Sequence, residues 1–237
     1  MNVIETAARE RPDFRRLAPR AGSRVAVVGG CGGIGRAVVA ACLENDLEVA
    51  VLDLEKSISA HAPPEAVRAI GVDATDPTGV DTAFAEIARH WGGIDVLIFL
   101  VGFTIVPPEP LQTVSPDQWN EVLSGNLQSA WLVSRAAVPL IRAAGGEAIV
   151  NMTSSLGIHV RPGFGPYAAA KAGLIALTKG LAVECAPDIR VNAVAPTAID
   201  TDFVRGGTGR PENGEADDWF DPAHFQATIP LGRLAEP

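Results

Sequence analysis

Tyr167 is the only tyrosine among 237 residues, and Lys171 follows it four positions later. Lysine is scarce too, with Lys56, Lys171 and Lys179 the full set. Residues four apart on a helix share a face, so the pair can stand together. A phenol ionises near pH 10, and making it useful near neutrality needs a shift of ~3 units, about 4 kcal/mol. One cation at ~4 Å in an effective dielectric of about 20 supplies about that much. The pair is therefore chemically sufficient for general acid/base work. The plain alternative is a tyrosine and a lysine that merely share a helix face, and the surrounding residues decide between the two.

Upstream, the apolar run Ala148-Ile149-Val150-Asn151-Met152-Thr153 ends in Ser154-Ser155. The C-terminal ends of strands are where ligands sit in open α/β sheets, and a serine hydroxyl there can donate to a carbonyl or alkoxide oxygen. Asn126 interrupts an otherwise apolar helical pattern (Leu123, Leu127, Ala130, Trp131) and needs a buried hydrogen-bond partner. Nearer the N-terminus, Gly29-Gly30-Cys31-Gly32-Gly33-Ile34-Gly35 separates a Val-rich run from the apolar helical pattern Arg36–Leu43. Strand, glycine turn and helix start are what a dinucleotide pyrophosphate needs: close backbone approach, free N–H groups and a positive dipole end. Asp53, at the end of the next apolar run, lies where the dinucleotide fingerprint expects an acid for the ribose hydroxyls. A carboxylate there repels a 2′-phosphate, and no adjacent arginine offers one a partner. This favours NAD over NADP. Asp73, after a third run, is a weaker candidate for an adenine contact.

The elements that must hold these groups are short apolar runs alternating with longer helical patterns. The strand expectations are Arg24–Val28, Glu48–Leu52, Val67–Val72, Asp95–Val101, Ala148–Met152 and Arg190–Val194. They are rich in Val and Ile and apolar on both faces, as parallel strands buried between helix layers are. Asp76-Pro77 reads as an N-cap followed by a first-turn proline. Ser115-Pro116-Asp117-Gln118 reads as a capping box. Gly92-Gly93 and Gly145-Gly146 read as helix stops. The alternation predicts one doubly wound α/β domain, a Rossmann-type parallel sheet with helices on both faces, over residues 23–237. Residues 1–22 read as an N-terminal extension. The polar, glycine-containing stretch Arg205–Asp221 reads as a mobile loop or lid.

Composition narrows the function classes. Hydrophobic residues make up 47% of the chain, enough for a sizeable core, while aromatics are only 5%. A net charge of −9 opposes binding to nucleic acid or to an anionic membrane surface, both of which need clustered cations. The longest apolar run, Val96–Val106, is too short to span a bilayer. Three widely spaced cysteines, Cys31, Cys42 and Cys185, fit neither a disulfide framework nor a metal site and suggest a reducing cytoplasm.

Taken together, these residues resemble the classical short-chain dehydrogenase/reductase family from Arg24 onward. The resemblance runs through Gly29, Gly33, Ile34 and Gly35, and through Arg190-Val191-Asn192-Ala193-Val194-Ala195-Pro196. It implies a catalytic tetrad of Asn126, Ser154, Tyr167 and Lys171. Ser154 is preferred to Ser155 because the family's serine stands thirteen positions before its tyrosine. It implies cofactor contacts from Gly29, Gly33, Ile34, Gly35, Asp53, Asp73, Gly102, Tyr167, Lys171, Pro196 and Thr201. It also implies a homo-oligomer, dimer or tetramer. Four departures stand out. Val28 replaces a threonine, Phe99-Leu100-Val101-Gly102 replaces an Asn-Asn-Ala-Gly signature, and Thr197 replaces a glycine. The sequence also ends at Pro237, where the family continues with a helix and a last strand.

The resulting expectation is hydride transfer between NAD(H) and a secondary alcohol or ketone, with an oxidised nicotinamide adding a second positive charge near Tyr167. Phe103 to Val106, Leu156 to Phe164 and the loop after Thr201 are the candidate substrate walls; the first two are largely apolar, which favours a hydrophobic or cyclic substrate. His159, Arg161, Arg205 and Arg210 favour an anionic one instead. Two alternatives stay open: NADP-dependent reduction, and a noncatalytic NAD(H)-binding sensor or scaffold.

Overall fold

The computed structural model describes residues 19–205 and 229–237. The first 18 residues of the expected extension, and residues 206–221 of the expected loop with Arg210, lie outside them.

Six strands form one parallel sheet: β1 (Arg24–Val28), β2 (Glu48–Asp53), β3 (Arg68–Gly71), β4 (Val96–Phe99), β5 (Ala148–Met152) and β6 (Arg190–Val194). Their order is β3-β2-β1-β4-β5-β6. In register, Val27 stands between Val51 of β2 and Ile98 of β4. Alternation along the strands sorts side chains into two cores. Val25, Val27, Val49, Val51 and Val96 pack on one face with Val39 and Cys42 of α1 (Gly33–Glu44) and Ile58 of α2 (Glu55–Ala60). Ala26, Val28, Leu52, Leu97, Phe99 and Ile149 pack on the other. There they meet α3 (Pro77–Trp91), α5 (Ser129–Ala143) and α6 (Gly165–Glu184).

The start signals work as read. Asp76 accepts from the backbone N–H groups of Thr78 and Gly79, and Gly92 ends α3 in the left-handed region at φ +72°. Ser115 and Gln118 form a complete capping box at the head of α4 (Pro116–Leu123). Helix α1 starts one turn earlier than expected, because Gly33 and Gly35 lie inside its first turn. Strands β3 and β4 are shorter at both ends than their apolar runs.

Strand order reverses around β1, so the segments after β1 and β4 diverge and open a crevice at the C-terminal edge of the sheet. The opposite edge is tied shut. The Arg24 guanidinium donates to both oxygens of Asp95 at 2.9 Å and to the Trp91 carbonyl at 2.7 Å, while the Arg24 backbone N–H donates to Asp95 Oδ2 at 2.7 Å. Burial alone raises the Asp95 carboxyl, but the hydrogen bonds from Arg24 outweigh it and leave Asp95 below its ordinary range.

Candidate active site

The crevice is a continuous cavity of about 1110 Å³ that runs from Asp53 and Asp73, past the glycine turn, to Ser154, Tyr167 and Lys171. At its first end, Gly29 has φ +87°, a conformation that strains other residues. A Cβ on Gly35 would overlap the Gly29 carbonyl oxygen, so the turn closes only with glycine at that position. Asp53 braces this turn. Its Oδ2 accepts from the Cys31 N–H at 2.9 Å and its Oδ1 from the Leu54 N–H at 2.8 Å. Asp73 accepts from the backbone and hydroxyl of Thr75. Gly102, Pro196 and Thr201 line the same cavity. Thr201 sits directly over the start of α1, its Cγ2 2.6 Å from where a Cβ on Gly33 would stand.

These residues fit a dinucleotide. The turn exposes the α1 N-terminus, which has no side-chain cap, and carboxylates stand at the ribose end. One expectation is corrected here. Arg36, Lys56 and His61 line the same end of the cavity as Asp53, with Arg36 Nη1 3.1 Å from His61 Nδ1. The fold thus brings a basic wall to the ribose end, which sequence adjacency does not reveal.

At the other end, α6 carries Tyr167 and Lys171 on one buried face, at 7% and 2% exposure. Lys171 Nζ lies 5.5 Å from the centre of the Tyr167 ring and donates to the carbonyls of Met152 at 3.0 Å and Val101 at 3.4 Å. Ser154, just past β5, lines the cavity beside the Tyr167 phenol and accepts from the Leu156 N–H at 3.1 Å. Burial pushes the phenol up to about 12, with the nearby Ser154 hydroxyl pulling the other way. Burial also pulls the Lys171 ammonium down to about 7. Burial thus works against the charged form of both groups and leaves Lys171 poised to gain or lose its proton near neutrality.

Asn126 lies at 0% exposure within a π-helical turn, Ser124–Gln128, that joins α4 to α5. Its Nδ2 donates to the carbonyls of Phe103 at 2.8 Å and Val122 at 2.9 Å, and its Oδ1 accepts from the Phe103 N–H at 3.3 Å. The carboxamide thus clamps the Phe103 backbone. The Phe103 ring fills the space left by Gly125, where a Cβ would overlap it. Asn126 Oδ1 and Lys171 Nζ stand 2.8 and 2.9 Å from the point a Cβ on Gly102 would occupy. Asn126 and Lys171 thus face each other across Gly102.

The cavity is apolar around the phenol: Phe103, Val122, Ile105, Leu156 and Phe203 pack with Tyr167. Phe203 lies in the loop after Thr201, one of the expected walls, although the sequence does not single it out within that loop. Its only signal is its position two residues after Thr201. His159, Arg161 and Glu121 line the rim. Among the described residues, no helix is long and apolar enough to cross a membrane.

Comparison with known proteins accords with this geometry. The family model described as enoyl-(acyl carrier protein) reductase matches residues 29–237. The 3-oxoacyl-[acyl-carrier-protein] reductase of Chlamydia muridarum is 32% identical over 228 residues, covering 89% of this chain and 84% of the relative. The cis-4-hydroxycyclohexanecarboxylate dehydrogenase of Sinomonas cyclohexanicum is 36% identical over 225 residues, covering 90% and 84%. Among solved structures, the ligand-free aldohexose dehydrogenase of Thermoplasma acidophilum superposes with a TM-score of 0.79 at 26% identity, covering 92% of this chain and 83% of that one. The chain belongs to the short-chain dehydrogenase/reductase family. It is accordingly an oxidoreductase of alcohols and ketones, in a family that binds a nicotinamide cofactor.

Proposed function

We propose that the protein transfers a hydride between NAD(H) and a secondary alcohol or ketone with an apolar, often cyclic, body. The observation that carries this reading is the convergence of Ser154 and Lys171 on the buried Tyr167, with the Lys171 ammonium 5.5 Å from its ring, at the end of the cavity away from the glycine turn. When bound, the nicotinamide gives or takes the hydride. The chain's own residues handle the proton. Ser154 donates to the substrate oxygen and fixes its position. In reduction the Tyr167 hydroxyl gives its proton to that oxygen as it gains charge, and in oxidation it takes the proton back. Lys171, held by two carbonyls, offers its positive charge to the phenolate and to the nicotinamide ribose. Asn126 sets the wall through Phe103 and faces Lys171 across Gly102. Gly29, Gly33, Ile34 and Gly35 cradle the pyrophosphate, Asp53 takes the ribose hydroxyls, Asp73 the adenine side, and Pro196 and Thr201 the nicotinamide side.

The preference for NAD rests on Asp53, whose carboxylate is pinned where a 2′-phosphate would lie. The basic wall of Arg36, Lys56 and His61 favours a second reading, use of NADP(H). Parallel titration with NADH and NADPH separates the two. We also infer a homo-oligomer built on the outer face of α5 and α6. Trp131 and Val183 are exposed there, at 48% and 80%, beside the small residues Ala172, Ala176 and Gly180. A monomer by light scattering at working concentration ends that part. The test of the reaction is a panel of cyclic and open-chain alcohols with NAD, followed by absorbance of the reduced cofactor. Firm NADH binding with no turnover of any alcohol points to a sensor instead.

A further inference from the structure

The Phe203 ring lies 5.8 Å from the Tyr167 ring, centre to centre, tilted by 48°, within the range of favourable aromatic pairs. It belongs to the short 3-10 turn Asp202–Arg205 and lines the cavity on the phenol side. Two anchors fix the backbone that leads to it. Thr201 is seated against Gly33 at the head of α1. Residues 198–200 are stitched to residue 235: the Ala235 N–H donates to the Ala198 carbonyl at 3.1 Å, and the Asp200 N–H to the Ala235 carbonyl at 2.8 Å. Across the phenol, Phe103 is held as firmly by Asn126 and Gly125. The ring of Phe203 therefore closes a slot whose other apolar members cannot shift freely.

We propose that Phe203 is a positioning and specificity-determining residue that roofs Tyr167, keeps water from its ring, and limits the bulk a substrate carries beside its reacting carbon. The slot takes ketones and secondary alcohols with flat or unbranched apolar groups next to that carbon and excludes branched ones. The substrate half of this proposal rests on Tyr167 being the acid/base group. The shielding half stands on the ring contact alone. Removing the ring admits water beside the phenol, and hydration favours the charged form.

Two measurements test it. Tyr167 is the sole tyrosine, so nitration of its phenolate by tetranitromethane, read by mass, reports on one residue. Phe203→Ala is expected to nitrate about tenfold faster than wild type, and Phe203→Leu within about twofold, since one unit of ionisation is a tenfold change in phenolate. Equal rates for all three chains, with unchanged circular dichroism, overturn the shielding role. If the alanine chain does not fold, Phe203→Val takes its place. For specificity, cyclohexanone is compared with its analogue methylated at the adjacent carbon. Phe203→Ala is expected to shift the kcat/KM ratio about tenfold toward the methylated ketone, mainly through KM, and Phe203→Trp to shift it the other way. An unchanged ratio in both overturns the specificity role. A wild-type chain that reduces no ketone refutes the acid/base reading and with it the substrate half, and nitration then judges the shielding on its own.

Discussion

Lys171 lies one helical turn beyond Tyr167, with its ammonium 5.5 Å from the ring centre, yet it spends hydrogen bonds on the carbonyls of Met152 and Val101. The strands ending at β4 and β5 thus place the lysine, and α6 places the tyrosine relative to it. Ser154, at the end of β5, completes the arrangement.

Replacing Tyr167 by Phe keeps the ring packing and removes only the hydroxyl. Turnover is expected to fall about 10²- to 10⁴-fold, the usual worth of a positioned acid/base group, with NADH affinity nearly unchanged. Steady-state rates beside fluorescence titration of NADH check this. A near-normal rate defeats the assignment.

Burial holds Lys171 at about 7 against an unfolded value of 10.5. Below pH 7 both the folded and the unfolded chain carry the proton. Between about 7 and 10.5 the unfolded chain carries more of it, so raising the pH across this window favours folding. The melting temperature is expected to climb from pH 7 to 9, by about 2–4 °C for each kcal/mol gained. In Lys171→Met the slope flattens. A wild-type melting temperature that falls over this range contradicts the buried, depressed lysine.

Gly102→Ala puts a methyl group within 3 Å of both Asn126 Oδ1 and Lys171 Nζ. Both are held by hydrogen bonds, Asn126 to Phe103 and Val122 and Lys171 to Met152 and Val101, so stability drops by about 1–3 kcal/mol. The two groups lose their registry, and kcat is expected to fall about 100-fold, because small misplacements at a site are costly. Thermal melts and rates measured on the same preparation test this. A large loss of stability with normal kcat per folded molecule refutes it.

Asp53→Ser removes the acceptor for Cys31 and Leu54. NADH is expected to bind about 10- to 100-fold more weakly, as loss of a charged hydrogen-bond acceptor does, and NADPH to gain relative to it beside Arg36 and Lys56. Calorimetric titration of both cofactors decides. Stronger binding of NADPH by the wild type reverses the proposed preference.

Asn126→Ala leaves the N–H and carbonyl of Phe103 without their clamp inside the protein. A loss of about 1–3 kcal/mol is expected from the lost buried hydrogen bonds, visible as a lower urea midpoint. An unchanged midpoint means that water replaces the carboxamide at no cost.

Much of this fold was legible in the sequence because its signals are local. Ser115 meets Gln118 three residues on, Asp76 meets Thr78 and Gly79, and the alternation of β1 and β2 needs only neighbouring residues. Tyr167 and Lys171 are joined by one helical turn, which the spacing already contains. What stayed hidden depends on distant partners. The Arg36–His61 contact joins two different helix regions, and the Phe203–Tyr167 ring pair joins residues on either side of β6. The π-helical turn at Asn126 sits where Phe103 packs against Gly125, and no periodicity in the sequence marks it. The sign of the phenol's shift also escaped, since burial follows from packing and not from spacing.

The Arg24–Asp95 fork and the proposed reacting groups occupy opposite rims of one sheet. Cohesion and chemistry are therefore housed apart. As pH drops through the depressed ionisation of Asp95, the fork weakens at the rim most remote from the hydride path. Acid should thus erode heat tolerance through the one rim while the other keeps its geometry for as long as the sheet holds.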